Sequence, residues 1–153
     1  MASFAQTDRL LTLTTPLGAD VLLPDSFECT EAISGLFDMT VRVLAVAGTS
    51  VQPSDLIGKR VTLSVLVDDS GTQRNFNGMV ASLEALGGDS DFDSYHLRVV
   101  PAMWLLTLNT QTRVFQNQTV VSIVKQVLSP YSITPTDDTQ ATYTALEYCT
   151  QYR

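Results

Sequence analysis

The sequence predicts a mainly β fold, an antiparallel β-barrel with one short amphipathic helix near residues 119–128. Short runs in which apolar and polar residues alternate recur about every ten residues, as the half-buried strands of such a sheet require. Clusters of glycine, proline and aspartate separate these runs and supply the geometry of turns. Consecutive strands are expected to pair as a meander that closes into a barrel.

The first half of the predicted sheet lies in the first third of the chain. Residues 9–14 alternate and form the first predicted strand, residues 16–18 turn the chain, and residues 21–23 return along it as a hairpin. A short strand is expected at residues 27–30. Residues 37–43 are the clearest strand, because apolar and polar residues alternate there without interruption.

The next segments predict a helical turn and a long hairpin. Residues 53–58 begin with Pro-Ser-Asp and end with glycine, which predicts one turn of helix. A strand at residues 61–67, a turn at residues 68–71 and a long returning strand at residues 74–86 then form the hairpin. Gly78 inside the returning strand indicates a bulge or a close approach of two backbones.

The stretch from residue 95 to residue 128 is predicted to be the fold nucleus. Its first strand ends at Pro101, which cannot donate a ladder hydrogen bond. An apolar knot around the single tryptophan, a second strand and an amphipathic helix with Thr119 as its N-cap follow. After a polar loop, a last strand is expected at residues 147–152, with three residues on one face: Tyr148, Thr150 and Tyr152.

The composition excludes several classes of function. The net charge of −7 provides no basic patch that could replace phosphate counterions or bind an anionic membrane. No run of about 18 apolar residues predicts a membrane anchor, and the N-terminal residues lack the features of a signal peptide. We therefore expect synthesis to end in the bacterial cytoplasm. Only 16% of the residues are charged, which favours a surface that partner subunits partly cover.

Residues suited to catalysis are few. His96 is the single histidine and lies in an alternating strand, where a partly exposed structural role is expected. Cys29 and Cys149 lie in neither a Cys-x-x-Cys nor a metal-ligand spacing; a disulfide between them stays open, but two buried thiols are favoured. No residue is therefore assigned a catalytic or cofactor-binding role, and the chain is not expected to be an enzyme.

The best candidate for a metal site is a loop in which Asp89, Asp91 and Asp93 alternate, as in a calcium loop. The twelfth position is Val100 instead of a bidentate glutamate, so a solvated hairpin tip is favoured and no metal ligand is assigned. A second open question concerns aromatic residues that either line a sugar- or peptide-binding groove or pack in the core and at subunit interfaces. Packing is favoured. These residues are Phe115, Tyr131, Tyr148 and Tyr152.

Five segments resemble, in chain order, the VgrG proteins, which are the spike-hub subunits of type VI secretion systems. Residues 97–128 contain that family's Pro-x-x-Trp-Leu-Leu run, its Arg-x-Phe-Gln-Asn segment and its short amphipathic helix. The others are Glu-x-x-Ser-x-x-Phe at residues 31–37, Leu-Ile-Gly at residues 56–58, Phe-x-Gly-x-Val at residues 76–80 and Glu-Tyr-Cys-x-Gln-Tyr-Arg at residues 147–153. Together they cover nearly the whole chain.

The resemblance implies a role in assembly and not in chemistry. It implies that the full-length protein is a homotrimer whose barrels form a ring between the tail-tube protein and a membrane-puncturing spike. It also implies contacts with baseplate proteins, effectors or adaptors bound through regions beyond Arg153, and translocation through the type VI apparatus. Residues 1–153 are then expected to be the N-terminal part of the hub-like domain, namely a first β-barrel of the phage tail hub type and the start of the next segment, without the spike.

Within this segment, five residues drew attention and are expected to belong mostly to the core, so that no interaction site is assigned to them: Trp104, Leu105, Phe115, Gln116 and Tyr148. Two alternatives keep the β-barrel. The first is the baseplate hub of a contractile phage tail or tailocin, which neighbouring capsid or lysis genes would indicate. The second is a free-standing ligand-binding barrel, which predicts a stable monomer with a saturable ligand.

Overall fold

The structure, a computed structural model, describes residues 4–152, so that residues 1–3 and Arg153 lie outside the described residues. The described chain falls into two compact units, residues 4–101 and residues 102–152. The boundary follows Pro101, where the predicted strand of the nucleus ends. The prediction that residues 95–128 form one nucleus is therefore wrong, because their strand belongs to the first unit and their helix to the second.

The first unit is a six-stranded antiparallel sheet with one helical turn, α1, at Pro53–Leu56. Its strands occur in the order β1-β4-β5-β6-β3-β2. Because β3 lies beside β6 and not beside β4, the connection is of the Greek-key kind and the predicted meander is wrong in strand order. The strands are β1 (Leu11–Thr14), β2 (Leu23–Thr30), β3 (Asp38–Val46), β4 (Arg60–Leu66), β5 (Gln73–Gly88) and β6 (Phe92–Val100).

The predicted hairpin between β1 and β2 does not form, although the turn between them does. The two strands are the opposite edges of the sheet, which curls until they lie close to each other without a ladder between them. The side-chain amide of Gln6 occupies the free edge of β1: its Nε2 donates to the carbonyl of Leu13 (3.2 Å), and its Oε1 accepts from the N–H of Leu13. A side chain thus satisfies backbone groups that would otherwise be an exposed edge.

The core of the first unit lies on the inner face of the curled sheet. In β3 every second residue is buried, beginning with Met39 and continuing through Val41 and Val43. Leu97 and Val99 of β6 are equally inaccessible and belong to the same hydrophobic cluster. The period-two pattern therefore predicted correctly which side chains face inward, and the mainly β, antiparallel fold is confirmed.

The second unit pairs a two-stranded antiparallel ribbon with a helix. Strands β7 (Thr112–Gln118) and β8 (Leu146–Tyr152) form the ribbon, and helix α2 (Val120–Leu128) packs against β7. The apolar knot around Trp104 is a 3-10 helix at Ala102–Leu108. The predicted N-cap is confirmed, since the hydroxyl of Thr119 accepts from the N–H of Ser122 at 3.2 Å.

Replacing Thr119 with alanine is expected to destabilise α2 by about 1 kcal/mol, because an N–H of the first turn loses its acceptor. Amides of α2 should then exchange with solvent about fivefold faster, measured by amide hydrogen exchange under native conditions. Thr119→Ser keeps the accepting hydroxyl and should leave these exchange rates nearly unchanged. Equal acceleration in both variants would contradict the capping role.

Candidate interaction surfaces

One face of the ribbon in the second unit is largely exposed and carries no charged residue. The register pairs Val114 with Thr150 and Gln116 with Tyr148, so these side chains point to the same side. Tyr148 is 61% and Tyr152 78% exposed. We call this surface the ribbon face. It consists of Thr112, Val114, Gln116, Leu146, Tyr148, Thr150 and Tyr152.

The opposite side of the ribbon is the inward one. Phe115, paired with Cys149, is buried there. The expectation that most of the five highlighted residues belong to the core holds for Phe115 alone. Trp104 and Leu105 are half-buried, and Gln116 and Tyr148 lie exposed on the ribbon face. Sequence alternation had placed Tyr148, Thr150 and Tyr152 on one face but could not show that this face is the outer one.

A groove of about 290 Å³ runs between α2 and the segment that follows it. Its floor includes Val120 and Val124, which are both exposed. An ion pair between Lys125 Nζ and Asp137 Oδ2 (2.9 Å) spans the groove. Hydrogen bonds from the Thr139 hydroxyl, followed by that from Lys125, lower the pKa of Asp137 to about 2, so the ion pair persists at mildly acidic pH.

The outer face of the sheet in the first unit carries rows of cross-strand charges. His96 of β6 lies between its register partners Arg42 and Glu84, with Nδ1 at 4.0 Å from Glu84 Oε2. In the neighbouring row, hydrogen bonds from the Arg98 guanidinium lower the pKa of Asp38. His96 is partly exposed, as expected, and its neighbours are a cation and an anion of a surface charge row.

The two cysteines are free thiols in the structure. Both are half-buried and not fully buried as expected. Burial, together with the carboxylate of Glu31, raises the pKa of the Cys29 thiol. A raised pKa keeps the thiol protonated at neutral pH, which makes it a poor nucleophile.

Of the three alternating aspartates, Asp89 and Asp91 lie in the hairpin tip between β5 and β6, as favoured, whereas Asp93 lies in β6 and pairs with Gly88. Asp89 accepts hydrogen bonds from the N–H groups of Asp91 and Phe92, both at 2.8 Å, and these bonds lower its pKa. Within residues 4–152 there is no group of three or more His, Cys, Asp or Glu side chains that could hold a metal ion. Across the same residues, none of the helices is long and apolar enough to cross a membrane.

Comparison with known proteins identifies the family from most of the chain. The family model of the phage tail baseplate hub (GPD) matches residues 30–153. The chain belongs to this family. The match includes four of the six strands of the first unit, β3 to β6, together with the last residue of β2, and it includes all described residues of the second unit.

Three relatives from Pseudomonas aeruginosa confirm the resemblance of this chain to VgrG proteins. The type VI secretion system spike protein VgrG1b is 34% identical over 99% of the chain, VgrG1c is 35% identical over 98%, and VgrG1a is 34% identical over 97%. The chain spans only about a fifth of the length of these relatives, 20–23%.

Two solved structures share the fold. The E. coli c3393 protein, a component of the type VI secretion system with structural similarity to the T4 bacteriophage tail proteins gp27 and gp5, superposes with a TM-score of 0.69 at 23% identity. It matches 93% of this chain and 38% of that protein. A 43 kDa tail protein of prophage MuSo2 from Shewanella oneidensis has a TM-score of 0.61 at 12% identity, over 91% of this chain and 44% of that protein. The hub-type fold is thus confirmed.

Proposed function

We propose that this chain is a structural hub module of a type VI secretion spike, and that the protein containing it joins the tail tube to the spike during effector delivery. The observation that carries the proposal is the 34–35% identity to three type VI spike proteins over 97–99% of the chain. Translocation through the secretion apparatus, contacts with tail-tube and baseplate proteins, and effectors held by regions beyond Arg153 belong to the same proposal.

The proposal assigns no chemistry to the chain. Its single histidine lies in a surface charge row between Arg42 and Glu84, and burial keeps Cys29 in the unreactive thiol form. A hub acts by binding its neighbours and transmitting force to them. A rigid sheet and an exposed surface without charged residues suit this role.

The ribbon face supports a homotrimeric hub. Copies of a chain with a net charge of −7 repel one another, and a contact surface without charged residues adds no further like-charge repulsion where they meet. The ribbon face is such a surface, and its exposed tyrosines supply contact area at low cost in side-chain entropy. We therefore assign the ribbon face to the contact with a neighbouring copy in the assembled hub.

The test is a secretion assay with the full-length parent gene. In-frame deletion should retain the tail-tube protein inside the cells, and complementation with the wild-type gene should restore its release into the medium. His96→Ala should complement fully, because no chemistry is assigned to that residue. Tyr148→Glu with Tyr152→Glu should not, because two negative charges are placed on the contact between copies.

Ile33→Glu is the matched control for these charge changes, because Ile33 is a fully exposed residue of the first unit and does not belong to the ribbon. It should complement as wild type does. Release that persists in the deletion strain lacking any second spike gene would overturn the proposal.

A baseplate hub of a contractile phage tail is the second candidate, favoured by the fold shared with the MuSo2 tail protein. Prophage induction followed by electron microscopy separates the two. Tail particles that are lost on deletion and restored by complementation would indicate the phage hub.

A further inference from the structure

Arg113 is the exception among the basic residues of the chain. Of the eight lysines and arginines in residues 4–152, seven are exposed and Arg113 alone is half-buried. Its side chain leaves β7 on the same side as the buried Phe115, because the two residues are two positions apart in a strand. A guanidinium on an inward face loses part of its hydration and normally requires a carboxylate in exchange.

That carboxylate is not supplied by residues 4–152. Ion pairs within 4.0 Å join four other lysines and arginines to aspartate or glutamate, but none involves Arg113. The partner of Arg113 is a neutral amide: Gln111 Oε1 accepts from Arg113 Nε at 2.6 Å and also from Nη2. In a chain with sixteen acidic and nine basic residues, a half-buried arginine paired only with an amide is unexpected.

The guanidinium lines a small pocket of the second unit. The pocket has a volume of about 140 Å³, well above the about 10–15 Å³ that one water requires. Asn109 and Tyr131 add groups that can donate hydrogen bonds, while Leu106 and Val127 form apolar walls. Gln111 Oε1 accepts from one N–H on Nε and one on Nη2, which fixes the orientation of the guanidinium and leaves three of its five N–H groups for a planar acceptor.

We propose that this pocket is a carboxylate-binding site in which Arg113 is the charged anchor. A carboxylate fits the fork of N–H donors of an arginine and forms short, charge-assisted hydrogen bonds with it. The apolar walls suit the aliphatic stem that carries such a group, as in a glutamate or aspartate side chain or a small carboxylic acid. The inference rests on the pocket alone and is independent of the hub function proposed above.

The chemistry is tested by titrating the 153-residue chain with sodium propionate, at constant ionic strength, while following amide and arginine Nε–H resonances by NMR. Saturable shifts are expected for Arg113 and its pocket neighbours, and none with propionamide, the neutral analogue of the same shape. Arg113→Gln should weaken binding about tenfold or more, and Arg113→Lys should weaken it less. Arg60→Gln is the control, an exposed arginine in the other unit.

The source of the carboxylate is distinguished by sedimentation of the same proteins. Self-association that propionate or Arg113→Gln disperses identifies an acidic side chain of a second copy. A monomer that binds propionate identifies a site for a small carboxylate or for another protein. The proposal is overturned if propionate and propionamide shift the pocket equally, if Arg113→Gln leaves the propionate shifts intact, or if propionate shifts nothing and the chain is monomeric. If Arg113→Gln does not fold, the comparison of propionate with propionamide on the wild-type chain still tests the proposed carboxylate site.

Discussion

Replacing Leu97 with alanine is expected to lower the free energy of unfolding of the first unit by about 2–5 kcal/mol. Leu97 is inaccessible to solvent and lies in β6, where it pairs with Val41 on one side and Leu83 on the other. A cavity at this position is enclosed by neighbouring strands that share a ladder, so it cannot collapse without shifting backbone. The loss is a large part of the about 5–15 kcal/mol that stabilises a typical domain.

Urea denaturation followed by far-UV circular dichroism measures this loss, since the sheet of the first unit supplies most of the β signal. Leu10→Ala is the matched control, because it makes the same chemical change at a side chain that is 69% exposed. It should alter the free energy of unfolding by no more than about 0.5 kcal/mol. A similar loss in both variants would show that Leu97 is not enclosed as described.

The sequence was sufficient to predict which segments are strands and, in the first unit, which side of β3 is buried. Alternation is a local property, and the burial of Met39, Val41 and Val43 follows from it directly. Thr119 was predictable for the same reason, since an N-cap depends on chemistry within three residues. Family membership was predictable because several local motifs occur in one order.

Strand order was not predictable, because it depends on contacts between residues far apart in the chain. The alternation of residues within a strand does not specify which other strand it pairs with. The turn between β1 and β2 therefore led to the prediction of a hairpin. The decisive contact joins the side-chain amide of Gln6 to the backbone of Leu13, seven residues further along the chain. These hydrogen bonds occupy the free edge of β1 in place of a paired strand. A glutamine in an N-terminal segment carries no signal for such a role.

The carboxylate pocket was missed for a different reason. Arg113 and Phe115 are two apart, and the period of a strand already places an arginine beside a buried phenylalanine. That signal was present in the sequence. The absence of a carboxylate near Arg113 within residues 4–152 required the fold, because sixteen acidic residues offered many candidate partners.

Replacing Gly78 with alanine is expected to destabilise the first unit by about 1–3 kcal/mol, and valine by more, because β5 and β6 leave no room for a side chain there. A Cβ atom at Gly78 would lie 2.5 Å from Cγ1 of Val99 and 2.9 Å from the carbonyl oxygen of Val100. The predicted close approach of two backbones is thus confirmed, whereas the irregularity in pairing occurs further along, between Val80 and Ser82.

Gly35→Ala is the matched control for Gly78→Ala. Each substitution removes conformational freedom from the unfolded chain by the same amount, which by itself stabilises a protein by about 0.4–1 kcal/mol. At Gly35 the nearest atom to an added Cβ is the Cβ of Ala32 at 3.3 Å, and neither glycine has a positive φ. The difference between the two variants in urea denaturation therefore measures the steric clash at Gly78. Trp104 fluorescence, which reports on the second unit, should change in neither variant. Equal stability of Gly78→Ala and Gly35→Ala would contradict the close approach of β5 and β6.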